Sequence, residues 1–306
     1  MLYPTHKRFG ILWGLVAIPI GVILGLIPII SFKMSSSEML MIVLCGVIGM
    51  RGALFGAEFP DIDSPTSIPR QKHKIIGRIF DLCGVKHRGK YSHDYLPIGL
   101  TFVIIYFLVH ITGERFVQAI VEGNTTLGTL AYLGVLFFVY VVANMVVDTI
   151  LWVANLVKNK RMWAIVNKKR VVISLMISAP LVLILTLTGV FDIKSVFGSI
   201  SLKQSLSSAM ILVTSLKIYT IFSLVGAYSH LFADMLTKDG VSICFVKISP
   251  MGIISNVRKI PILGKFLVPL DPKTGGRWED IVRYVVTGLC IPASVLAVMV
   301  MTGYEL

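Results

Sequence analysis

Residues 210–240 read MILVTSLKIYTIFSLVGAYSHLFADMLTKDG. From Met210 to Ala233 the only charge is Lys217, and the run is long enough to cross a bilayer as a helix, which takes about 20 apolar residues. It ends on His230 and Asp234. Four residues apart on a helix, they lie one above the other on the same face. An imidazole and a carboxylate aimed one way from the mouth of an apolar helix make half of a metal site. Thr237 to Gly240 then read as a sharp helix exit.

The rest of the chain has the same character. Of 306 residues, 55% are hydrophobic and 15% charged, against about 25% charged in soluble domains. Further apolar runs near 11–32, 39–57, 96–112, 127–149, 171–191 and 281–302 bring the count to seven expected spans. The expected fold is an all-α polytopic membrane helical bundle with two motif-bearing loops, at 58–95 and 236–280. Four scattered cysteines with no CxxC pair exclude a thiolate metal site and a disulfide framework.

The net charge of +13 reads as topology rather than as a nucleic-acid surface. Lys7, Arg8 and the loops at 58–95, 158–170 and 236–283 carry nearly all the Lys and Arg. The opposite loops hold only Lys33, Arg115, Lys194 and Lys203. The positive-inside rule then puts the N-terminus in the cytoplasm and the C-terminus outside. That topology, drawn from Lys and Arg alone, gathers five acid/histidine groups at one membrane face: His6; Glu58, Asp61 and Asp63; His87 and His93; His230 and Asp234; Glu279 with Asp280.

Each group alone has a bland reading. Glu58-Phe-Pro-Asp-Ile-Asp63 can be a helix exit, His87 and His93 ordinary loop residues, and Glu279 a helix N-terminal acid. As an extended segment, Asp61 and Asp63 would both face a cation. Together the groups specify a mixed nitrogen/oxygen site for one or two divalent ions, Zn, Mn, Fe or Mg. The expected ligands are His6, Asp61, Asp63, His93, His230 and Asp234, with His87 a ligand or an outer partner. Glu58 or Glu279 would orient a ligand or act as general base. Arg88, assisted by Lys90, would hold a phosphate. His73 and His110 are expected to stay outside the site.

Within the spans, Arg51 shares a face with Glu58, seven residues on. Asp148 is a candidate counter-ion for it, and Lys217 is expected to snorkel outward.

These residues resemble the YdjM-type family, LexA-binding, inner-membrane-associated metal-dependent hydrolases. The resemblance rests on His6, on Phe59-Pro-Asp-Ile-Asp63, and on His87-Arg-Gly-Lys-Tyr-Ser-His93. It also rests on Gly226-Ala-Tyr-Ser-His230-Leu-Phe-Ala-Asp234-Met-Leu-Thr237-Lys-Asp-Gly240 and on Gly276-Arg-Trp-Glu279. Asp94 departs from the small polar residue usual after the second histidine. The resemblance implies a metal-dependent hydrolase of the inner membrane. One domain over 1–306 is expected because the candidate ligands come from both ends of the chain, and beside the family's motifs 113–205 reads as a family-variable helical insertion. A site at the membrane face suits a phosphoester of a lipid-like or other phosphorylated substrate, with membrane lipids as partners. The competing readings are an ion or solute transporter and a non-catalytic, metal-stabilised membrane regulator.

Overall fold

A computed structural model of the chain describes residues 3–25, 27, 36–85, 87, 89, 91–156, 160–187, 201–237, 240–248 and 276–302. Ten α-helices are described: α1 (Tyr3–Ile23), α2 (Ser36–Glu58), α3 (Ile68–Lys72), α4 (Lys74–Leu82), α5 (Tyr95–Val121), α6 (Thr125–Leu156), α7 (Lys160–Lys168), α8 (Arg170–Leu187), α9 (Leu202–Met235) and α10 (Arg277–Met301). A 3₁₀ turn covers Pro60–Asp63, and an antiparallel hairpin joins β1 (Val241–Ile243) to β2 (Val246–Ile248). The fold is the all-α membrane helical bundle expected from composition.

Among the described residues, five helices are long and apolar enough to cross a membrane: α1, α5, α6 over Thr125–Asp148, α9 and α10. The count of seven is not reached on this measure. The two remaining expected spans correspond to α2, of 23 residues, and to α8, whose apolar stretch is the shorter Arg170–Leu183.

Packing divides the chain into two compact units. One comprises Met1–Ile29, Gly49–Phe107 and Ile218–Leu306, and the other Ile30–Ile48 and Leu108–Lys217. In the first, α2 and α9 approach at small residues. A Cβ built on Gly56 would stand 1.9 Å from the Ser223 carbonyl oxygen, and one on Gly226 would stand 1.9 Å from that of Ala53. Glycine is what lets the two backbones touch. A Cβ built on Gly10 of α1 would stand 2.7 Å from Ala57 Cβ of α2. The starts of α1 and α10 are tied by Thr5 Oγ1, which donates to Glu279 Oε1 at 2.7 Å. A cluster of Phe59, Ile62, Ile98, Phe102, Ala227, Leu231 and Val241 closes the end of this unit that carries the motifs.

In the second unit, Tyr132, Val135 and Val139 of α6 pack against Leu181 and Val182 of α8. Asp148 pairs with Arg170 at 2.7 Å, and the same guanidinium donates to Asn144 Oδ1 at 2.6 Å. A partner of Asp148 is thus the first residue of α8. Lys217 Nζ lies 2.8 Å from His110 Nδ1.

Within the loop at 236–280, residues 240–248 form the hairpin. Asp94, the departure from the family pattern, holds it. Its Oδ2 accepts from the Phe245 backbone N–H at 2.6 Å and its Oδ1 from that of Leu96 at 2.9 Å. Ser242 N–H donates to the His93 carbonyl at 3.3 Å. One buried carboxylate thus starts α5 and pins the hairpin turn, where Cys244 and Phe245 have positive φ. Asp94→Ala is expected to speed hydrogen exchange at Leu96 and Phe245 and to cost about 1–3 kcal/mol, the penalty of stranded donors. Exchange mass spectrometry on 241–248 reads it directly, and unchanged protection there would refute the anchoring role.

Candidate metal centre

The site lies entirely in the first unit, where α1 starts and α2, the 3₁₀ turn and α9 end. α9 stops because Leu236 N–H and Thr237 N–H turn back to the carbonyls of Ala233 and Asp234, at 3.2 and 2.9 Å. Thr237 Oγ1 also donates to Asp234 O at 2.6 Å. The exposed Leu236 carbonyl is satisfied by Trp278 Nε1–H of α10, at 3.1 Å. Asp234 is therefore held in the last turn of a rigid helix, one turn beyond His230.

His230 is fully buried. Its Nδ1 donates to the Ala57 carbonyl at 2.8 Å, which leaves Nε2 as the lone-pair nitrogen. That nitrogen makes no hydrogen bond. It faces Asp234 Oδ2 at 3.4 Å and Asp61 Oδ1 at 3.8 Å. His6 stacks on His230 with ring centroids 3.7 Å apart, and its Nε2 lies 3.3 Å from Asp234 Oδ1. His93 presents Nε2 to Asp234 Oδ2 at 3.7 Å, again with no hydrogen bond. Asp234 thus stands between three imidazoles.

Two groups of donor atoms each lie within 4.8 Å of one another: His6, His230 and Asp234, and Asp61, His93 and His230. Ligand atoms about 2.0–2.2 Å from a tetrahedral ion stand about 3.3–3.6 Å apart. The separations here, 3.3–3.8 Å, begin in that range and slightly exceed it, too long for good hydrogen bonds and short enough to close on a shared cation. Buried lone-pair nitrogens without a proton donor, facing carboxylates, fit a divalent ion chemically.

Asp63 lies in neither donor group. Pro60 starts a 3₁₀ turn in place of an extended segment, so side chains two apart no longer share a side. Asp61 turns toward His230. Asp63 is held by His87 Nδ1 at 2.8 Å and by the Ser92 hydroxyl, which donates at 2.5 Å. His93 Nδ1 lies 3.2 Å from Ser92 Oγ and 3.6 Å from Asp63. Burial alone would raise the Asp63 carboxyl. The bonds from His93, Ser92 and His87 outweigh it and push the pKa down to about 2. An ionised Asp63 fixes the His93 tautomer with Nδ1 protonated and Nε2 open, as carboxylates behind metal-binding histidines do. His87 is joined to the site through Asp63 rather than to either donor group. Asp63→Asn is expected to leave the fold intact and weaken metal affinity roughly 10–100-fold. Titration with a competing chelator checks this, and unaltered affinity would refute it.

Glu58 and Glu279 also lie outside both donor groups. Glu58 Oε1 accepts from the Tyr3 hydroxyl at 2.6 Å and pairs with Lys72 at 3.1 Å, while Oε2 lies 3.2 Å from His73 Nε2. Both oxygens are thereby engaged, and His73, set aside by the sequence reading, is one of the reasons. Glu279 is buried and holds Thr5, the neighbour of His6. Arg88 and Lys90 lie outside the described residues. Sequence reasoning missed Ser92 as a relay, although its place between Tyr91 and His93 was a signal. It also missed the Ala57 carbonyl, which no side-chain pattern reveals.

No curated protein and no solved structure matches the chain. A family model described as YdjM inner membrane protein does, over residues 1–304. With that match spanning the bundle and every motif of the site, the chain belongs to the YdjM inner membrane protein family.

Proposed function

We propose that the chain is a membrane-embedded, metal-dependent hydrolase acting on a phosphoester of a lipid-like or other phosphorylated substrate. The observation that carries this reading is the pair of buried nitrogens, His93 Nε2 and His230 Nε2, bare of hydrogen bonds and facing Asp234 and Asp61 at 3.4–3.8 Å. His6, Asp61, His93, His230 and Asp234 hold the ion or ions. Asp234 turns one oxygen to His6 and the other to His93 and His230. A divalent ion there supplies Lewis acidity, which polarises a phosphoryl oxygen and acidifies water.

The protein's own residues do the rest. Asp63 and Ser92 orient His93, the Ala57 carbonyl orients His230, and Glu279 braces the start of α1. Glu58 acts as a clasp between α1, α2 and the α3–α4 corner. Arg88 is retained as the phosphate holder, a fork of five donors suited to that anion. In this reading 1–306 works as one domain with 113–205 as an insertion, and the basic loops put the site and the N-terminus in the cytoplasm and the C-terminus outside.

The test is hydrolysis by the detergent-purified chain of a panel of phospholipids and bis(p-nitrophenyl) phosphate, with and without a chelator. Turnover that the chelator and both His230→Ala and Asp61→Ala abolish supports the reading. Bound metal with no turnover on any ester would overturn it in favour of a metal-stabilised regulator.

A further inference from the structure

The short helix α4, between the two motif segments, carries apolar residues on two faces. Ile76 and Phe80 face inward, onto the cluster of Phe59, Ile98 and Phe102, with the Phe59 and Phe80 rings 5.3 Å apart. Ile75, Ile79 and Leu82 fall at i, i+4 and i+7, a single stripe. They are 76%, 50% and 87% exposed. Lys74 and Arg78, also one turn apart and exposed, border one edge of that stripe, with Asp81 beyond them paired to Arg70. The helix is locked in this orientation by Arg70. Its guanidinium donates to the Gly77 carbonyl at 2.5 Å, to the Ile62 carbonyl at 3.3 Å, and to Asp81.

Phe80 and Ile76 pack against the cluster that contains Ile98 and Phe102, in the first two turns of α5. Near those turns α5, a candidate span, exposes Leu96, Leu100 and Val103. The stripe thus sits beside the motif-bearing end of a candidate span. An apolar face at the edge of a bilayer, bordered by cations, is what an interfacial helix presents to headgroups and the first acyl carbons.

We propose that α4 is an interfacial anchor, with Ile75, Ile79 and Leu82 seated in the bilayer surface and Lys74 and Arg78 on anionic lipid headgroups. It holds the segment between Asp61 and His93 against the leaflet, so that lipid headgroups gather beside the site. The proposal rests on the membrane bundle and not on the metal reading, so either can fail without the other.

The experiment places a spin label at Ile75→Cys, Ile79→Cys and Leu82→Cys in the full chain, with native cysteines replaced by serine or alanine, in nanodiscs. Leu100→Cys serves as the lipid-facing benchmark. Accessibility to oxygen is compared with accessibility to a water-soluble nickel chelate. The expected result is a high oxygen-to-nickel ratio at all three sites, approaching that at Leu100. Nickel accessibility at all three would mean water and overturn the proposal. Exclusion of both reagents would mean protein cover, by another segment or a second copy, and would overturn it equally.

Hydrogen exchange of 74–82 on the unsubstituted chain gives a second readout. Protection is expected to be greater in phosphatidylglycerol than in phosphatidylcholine discs, by roughly fivefold per cation, and Lys74→Glu/Arg78→Glu is expected to erase the difference. Equal protection in both lipids would overturn the anionic preference.

Discussion

A His230→Ala chain is expected to purify as a folded helical protein that has lost its metal, retaining below about a tenth of the wild-type content. His230 is the one residue in both donor groups, so its removal takes a ligand from each. A second-sphere substitution costs about 10–100-fold in affinity, and a ligand common to both groups costs at least that. The lost side chain also frees the Ala57 carbonyl. That is a local penalty of about 1–3 kcal/mol, which lowers stability without unfolding a bundle held by many other contacts. Elemental analysis and far-ultraviolet circular dichroism on the same sample separate the two effects. Full metal content in the variant would show that the groups do not share a ligand.

The second large effect is expected at the α2–α9 crossing. Gly56→Ala and Gly226→Ala each place a Cβ 1.9 Å from a backbone oxygen of the facing helix. A backbone cannot rotate aside as a side-chain tip can, so the helices must separate. Overpacking of this kind costs about 1–3 kcal/mol, with direct backbone contact at or above the upper end. The separation also draws the Ala57 carbonyl away from His230, whose bond spans 2.8 Å. Both variants should therefore melt earlier and bind metal more weakly. Gly288→Ala, where a Cβ meets nothing within 4 Å, is the control and should do neither. Wild-type melting in Gly226→Ala would mean that the two helices are not in contact there.

The bundle was legible in the sequence because a bilayer sets a minimum apolar length, and 210–233 or 281–302 meets it without reference to anything else. The convergence of His6, Asp61, His93, His230 and Asp234 was legible because helix ends at one membrane face are neighbours by topology. The division of labour within the site was not. Asp61 and Asp63 read as a pair under the period of a strand, and Pro60 imposes a 3₁₀ turn that sends them to different histidines. Glu58 read as a general base or a ligand's orienter because Tyr3, Lys72 and His73 reach it only in three dimensions. The Ala57 carbonyl that sets the His230 tautomer is 173 residues away, and a backbone atom leaves no mark in a residue pattern. Asp94 stood out as a departure from the family, but its two backbone partners, at Leu96 and Phe245, appear only with the hairpin in place.

The central claim is that this cluster binds a divalent ion through imidazole and carboxylate. X-ray absorption at the metal edge, on wild-type chain purified without added chelator, tests it most directly. The prediction is stoichiometric metal with nitrogen and oxygen neighbours at about 2.0–2.2 Å, imidazole outer-shell scattering, and no sulfur. A chain that purifies without metal and does not take it up, or a spectrum dominated by sulfur at about 2.3 Å, would contradict it.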